Sequence, residues 1–210
     1  MYCVVRSAKK IMAAAGVAAA LLMTGFGAVS GAQAASSNFM QTGGLTSQPI
    51  GHYEFCKREP QECGIVSRDT RPLHLTNVNW QQIVRENLSV NKRIKPMTDM
   101  QLYGVEEYWA YPTWAGDCED YVLLKQRELQ RAGFPITDLL ITVVRKPDGE
   151  GHAVLTVRTD RGDFILDNLN DKVVRWNATN YTYLKRQADN NTGRWVSIEA
   201  PENLLVGSVK

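Results

Sequence analysis

The chain has 210 residues with 24 Lys+Arg against 22 Asp+Glu, and 44% of its residues are hydrophobic. This near-balance, with no block of basic residues, excludes the electrostatic footprint of a nucleic-acid binder or a polybasic membrane patch. No internal repeat or low-complexity tract follows the N-terminal leader.

Residues 1–34 read as an export signal. Arg6, Lys9 and Lys10 precede an apolar run over residues 11–29, and Ala32-Gln33-Ala34 supplies a small-x-small cleavage pattern. Cleavage near Ala34 delivers a periplasmic or secreted chain of about 175 residues, enough for one domain with its own core. The run is also close to the ~20 residues that span a bilayer, so membrane anchoring by an uncleaved signal is the alternative. With the leader gone, Lys+Arg falls to 21 against 22 acids.

Residues 35–51 are small, polar and turn-rich, and read as a flexible lead-in to an irregular segment spanning residues 35–72. Cys56 and Cys63 lie seven apart in this segment, and in an oxidising compartment they are expected to pair. Cys3 leaves with the signal, which makes Cys118 the odd cysteine of the exported chain. A domain is expected over residues 73–205. It starts with a helix over residues 77–94, where Trp80, Ile83, Val84, Asn87 and Leu88 recur at helical spacing behind Thr76 or Asn77 as cap. A second helix is predicted from Cys118 to Arg131, stopped by Gly133 and Pro135. Residues 139–144 are β-branched and strand-like, and residues 153–159 and 163–169 alternate around the Asp160-Arg161-Gly162 turn as a hairpin. Residues 172–176 and 195–198 are further short strands. Helices followed by an antiparallel sheet make the fold class α+β.

Ala115-Gly116-Asp117-Cys118-Glu119-Asp120-Tyr121 opens the second helix with a cysteine among three carboxylates. A helix N-terminus favours a thiolate, so Cys118 is the candidate nucleophile. Asp117, Glu119 and Asp120 oppose that charge unless a divalent cation neutralises them. As a plain alternative, acids in a first turn stabilise the helix dipole.

Of the three histidines, His52 and His74 fall in or near the irregular segment, whereas His152 opens the first hairpin strand. It is the candidate base for thiol activation and acid for amine departure. Asp167, embedded in the apolar second strand, is placed to orient the imidazole through Nδ1, with Asp163 and Asp171 as competitors. Trp109 and Trp114, just before the nucleophile, are candidates for lining the cleft or for donating an indole N–H to an oxyanion; packing in the core is the plainer role.

The stretches Gly116-Asp117-Cys118-Glu119-Asp120-Tyr121, Gly151-His152-Ala153-Val154-Leu155 and Leu166-Asp167-Asn168-Leu169 resemble the bacterial transglutaminase-like cysteine proteinases. Val90-Asn91, Asp99 and Tyr108-Trp109 extend the likeness upstream. The resemblance implies a papain-like, transglutaminase-like α+β fold with a Cys118, His152, Asp167 triad. It also implies calcium held by Asp117, Glu119 and Asp120, carboxylate oxygens being suited to Ca²⁺, with Asp99 and the Tyr103 backbone as further candidates. The best-known members, LapG-type periplasmic proteases, release large surface adhesins under an inner-membrane receptor. The function expected is therefore an exported cysteine endopeptidase acting on a protein substrate through a thioester. Acyl transfer to an amine on the same triad, as in transglutaminase or peptidoglycan amide chemistry, is one alternative, and a non-catalytic calcium-dependent binding module is another.

Overall fold

The computed structural model describes residues 37–199; the leader therefore lies outside the described residues. Its centre is a seven-stranded sheet in the order β1-β9-β8-β4-β5-β6-β7 with all neighbours antiparallel. The strands are β1 (Thr42–Thr46), β4 (Leu139–Arg145), β5 (Gly151–Thr159), β6 (Gly162–Asp167), β7 (Asn170–Arg175), β8 (Thr182–Ala188) and β9 (Asn191–Ile198). The helices are α1 (Ile50–Arg58), α2 (Pro60–Cys63), α3 (Asn77–Arg93), α4 (Asp99–Tyr103) and α5 (Cys118–Arg131). Two residue pairs, β2 (Lys95–Pro96) and β3 (Ala115–Gly116), form a short parallel ladder just before α5. This is an α+β architecture.

Residues α5 turns to the sheet explain its place in the fold. Val122, Leu123 and Leu129 pack with Leu139, Ile141, Val143, Ala153, Leu155 and Val157, which occupy alternate positions along β4 and β5. Each such apolar side chain contributes about 1.5–3 kcal/mol when fully buried. The outer side of α5 is covered as well: Tyr121 and Leu124 pack with Val90 and Ile94 from α3 and the residue that follows it. Every residue of α5 from Cys118 to Gln126 is buried. A helix enclosed on both sides presents its first turn as a fixed point.

α3 starts with a capping box, the Thr76 side chain accepting from Asn79 N while the Asn79 side chain accepts from Thr76 N. On the far face of the sheet, Val144, Val154 and Ile165 pack with Met40, Trp176 and Ile198. Gly162 closes the β5–β6 hairpin at φ +125, a conformation a side chain would strain.

Within the segment expected to be irregular, residues 37–72 are more ordered than the sequence indicates. β1 pairs with β9 as an edge strand of the main sheet, so this part of the chain belongs to the sheet it was expected to precede. α1 buries Phe55 and His52, and the Cys56–Cys63 disulfide joins α1 to α2. β8 is a second strand the sequence reading omitted.

Candidate active site

Cys118 is the first residue of α5, at the end where backbone N–H groups lack helical partners. The β2–β3 ladder sets the approach: Met97 N donates to Gly116 O at 3.0 Å, which lays residues 95–97 alongside the entry to the helix. Gly116 is required there, because a Cβ would stand 2.6 Å from Asp120 Oδ2 and 2.7 Å from Asp120 Cβ. A cleft of about 260 Å³ opens at this point, lined among others by Met97, Gln101, Asp117, Cys118, His152 and Leu169.

The β5–β6 register explains how His152 and Asp167 meet. Leu155 pairs with Leu166, so Asp167 shares a face with the even-numbered residues of β5 and stands diagonally from His152. His152 Nε2 lies 2.8 Å from Asp167 Oδ1, and both residues are buried. The contact is therefore at Nε2, where the sequence reading placed it at Nδ1. Oδ1 also accepts from Leu169 N at 2.9 Å, and Oδ2 accepts from the Tyr181 hydroxyl at 2.7 Å. Burial alone would raise the Asp167 pKa, but these donors and the neighbouring His152 hold the carboxyl below its usual range. The Tyr181 ring meets the His152 ring edge-on with centroids 5.6 Å apart. Tyr181 escaped the sequence reading because it arrives from the segment before β8, and no local pattern marks it.

Asp163 and Asp171 stand elsewhere. Asp163 accepts from Met40 N and lies 3.7 Å from Arg186, and Asp171 accepts from Asn91. His52 is buried against Trp109 and Trp195, and burial lowers its pKa to about 4; His74 pairs with Asp160 on the surface.

Asp117, which lines the cleft beside Cys118, belongs to a buried acidic cluster. Oxygens of Asp99, Asp117 and Glu119 lie within 4.8 Å of one another, and all three residues are buried. Asp99 thus joins two of the three acids singled out from sequence. Asp120 is directed beside them, its Oδ1 accepting from Ala110 N at 2.8 Å. Asp99 Oδ2 accepts from Tyr108 N, while Asp99 Oδ1, Asp117 Oδ1 and Asp120 Oδ2 are buried with no hydrogen-bond partner. Burial is the first cause of raised pKa in this group, followed at Asp99 and Glu119 by the charge of Asp117. Asp99 is pushed up to about 7 and Asp120 to about 8, with Asp117 and Glu119 raised as well. Orphaned hard oxygens clustered at such a point fit a divalent cation.

Neither indole lines the cleft. Trp109 is fully buried with its Nε1 donating to Glu107 Oε1 at 2.8 Å, and Trp114 is 56% exposed at the ladder, its carbonyl accepting from Lys95 N. The Cys118 sulfur is 3.1 Å from Glu119 Oε2. Cys118 is disulfide-bonded in this structure, whereas the sequence leaves it as the odd cysteine of the exported chain. The nucleophilic form is the reduced one.

Solved structures similar to the chain include calcium-bound LapG of Legionella pneumophila, at 26% identity over 59% of this chain and 71% of that one with a TM-score of 0.49. The EGTA-treated form of that protein aligns at 24% identity over 60% and 73%, with a TM-score of 0.48. No curated protein matches the chain. The model of the family described as bacterial transglutaminase-like cysteine proteinase matches residues 42–203. The chain belongs to that family and is a cysteine peptidase of transglutaminase-like fold.

Proposed function

We propose that the protein is an exported, periplasmic endopeptidase that cleaves a protein substrate through a Cys118 thioester, with His152 and Asp167 completing the triad and calcium supporting it. The observation that carries this reading is that His152, which lines the cleft together with Cys118, is paired at 2.8 Å with the buried Asp167 behind it. His152, steadied at Nε2 by Asp167, takes the thiol proton at Nδ1. Sγ attacks the scissile carbonyl, and the Cys118 backbone N–H, at the helix start, donates to the oxyanion. The imidazolium protonates the departing amine, and water then hydrolyses the thioester with His152 as base.

Asp99, Asp117 and Glu119 would hold the calcium, and Asp120 supports the same turn. Bound there, the cation supplies positive charge that offsets the carboxylates beside the nucleophile. The leader residues support export, and the Cys56–Cys63 disulfide fits an oxidising compartment. The finer reading, a surface adhesin as substrate and an inner-membrane receptor as regulator, rests on the motif resemblance.

The deciding experiment is alkylation of Cys118 by iodoacetamide from pH 4 to 9, with and without calcium, on protein reduced and desalted. Fast labelling with an apparent pKa well below the ~8.5 of free cysteine, lost in His152→Ala, is the expected result. Slow labelling indifferent to His152 and to calcium would favour the non-catalytic binding module.

A further inference from the structure

The nucleophile's helix carries a buried cation that this chemistry does not use. Lys125 follows Cys118 by seven residues, about two turns along α5 and nearly on the same face, and its side chain is fully buried. Burial pulls its pKa down to about 7 against the opposing charges of Asp167, Glu86 and Asp171. An amine held at such cost needs a structural reason.

Its contacts supply one. Lys125 Nζ donates to Asn87 Oδ1 at 2.7 Å. The same Asn87 side chain donates through Nδ2 to the carbonyls of Asn170 at 3.0 Å and Asp171 at 3.1 Å. One turn further along α3, Asn91 Nδ2 donates to Asp167 O at 2.9 Å and to Asp171 Oδ1 at 3.0 Å. Two helices therefore grip both ends of the β6–β7 turn at whose start Asp167 sits. The carbonyls concerned are those of Asp167 at the end of β6 and of Asn170 and Asp171 at the beginning of β7, the edge strand of the sheet, where main-chain groups turned away from the ladder need partners from outside it.

We propose that Lys125, Asn87 and Asn91 are positioning residues forming a brace between the helix that bears Cys118 and the turn that bears Asp167. The brace keeps the orienting carboxylate on His152 at a set distance from the nucleophile's helix. It acts through main-chain atoms of the turn, and none of the three residues touches the reacting atoms. The inference rests on the triad reading above.

The test uses the full chain, reduced and desalted, and follows the pH profile of Cys118 alkylation by iodoacetamide, which requires no identified substrate. Lys125→Met keeps the length and removes the donor, Lys125→Gln keeps an N–H for Asn87, and Asn91→Ala removes the contact with the Asp167 carbonyl. Lys125→Met and Asn91→Ala are expected to displace the profile in the direction of Asp167→Ala, with labelling at pH 6 slowed about tenfold, the equivalent of one pKa unit. Lys125→Gln is expected to recover most of that loss. A lower melting temperature with an unchanged labelling profile in both variants overturns the brace. Should Lys125→Met fail to fold, Asn91→Ala, at a half-buried position, decides the matter. An unchanged profile in Asp167→Ala itself overturns the triad reading and the brace with it, an outcome distinct from failure of the brace alone.

Discussion

The two walls of the cleft, at His152 and at Asp117, are backed by buried carboxylates in opposite conditions. Asp167, 4% exposed, is supplied with donors from His152, Leu169 N and Tyr181 and is held in its ionised form. Asp99, Asp117, Glu119 and Asp120 are equally buried, yet three of their oxygens have no partner and their pKa values are raised. One wall is electrostatically complete within the protein, and the other is complete only with a proton or a cation. A buried carboxylate is thus an orienting group or a ligand according to the donors aimed at it.

The largest effect that breaks this comparison is removal of the complete wall. His152→Ala is expected to lower kcat on the order of a thousandfold, with Asp167→Ala close behind, measured by peptide hydrolysis. Next comes the incomplete wall: chelation with EGTA, or Asp117→Asn with Glu119→Gln, is expected to lower both activity and melting temperature, with calcium restoring the unsubstituted protein alone. Isothermal titration of calcium into the two forms checks the binding directly.

The pH dependence of stability separates the walls by sign. The acidic wall binds more protons folded than unfolded between the ordinary carboxyl range and pH 7–8, so apoprotein stability is expected to fall as pH rises through that window. Asp167 behaves oppositely: its depressed pKa contributes stability above the ordinary Asp range, which is lost as pH falls through the folded value. Denaturant unfolding from pH 3 to 8 should show both, with calcium flattening the upper limb and Asp167→Asn the lower one. Smallest is Tyr181→Phe, which removes one hydrogen bond to a charged group, an effect of about 1.5–3 kcal/mol, seen as a lower kcat at unchanged KM.

How legible each region is follows from where its pattern is written. α5 and the β5–β6 hairpin carry local periodicity and turn residues, and their boundaries in the structure fall close to those read from sequence. β1 has the sequence Thr-Gly-Gly-Leu-Thr, and only its pairing with β9, about 150 residues away, makes it a strand. β8 hides Arg186 and Gln187 in its buried part, where they meet Asp163, Gln126 and the backbone of Ile141, so it lacks an apolar alternation to detect. The same reasoning applies to the site. Asp117 and Glu119 flank Cys118 and are visible as a cluster; Asp99 enters the sequence reading only through the family likeness, and Tyr181, brought in by tertiary packing from the segment before β8, not at all. Nothing in the local sequence singles out Lys125, and only the approach of α3 shows what it holds.

Leu169 is 47% exposed at the lip of the cleft, while its backbone N–H serves Asp167 Oδ1. Its side chain and its amide therefore answer to different demands. An engineer can rewrite what the cleft accepts by exchanging the side chain here and leave the chemistry in place, proline being the one replacement that severs the two.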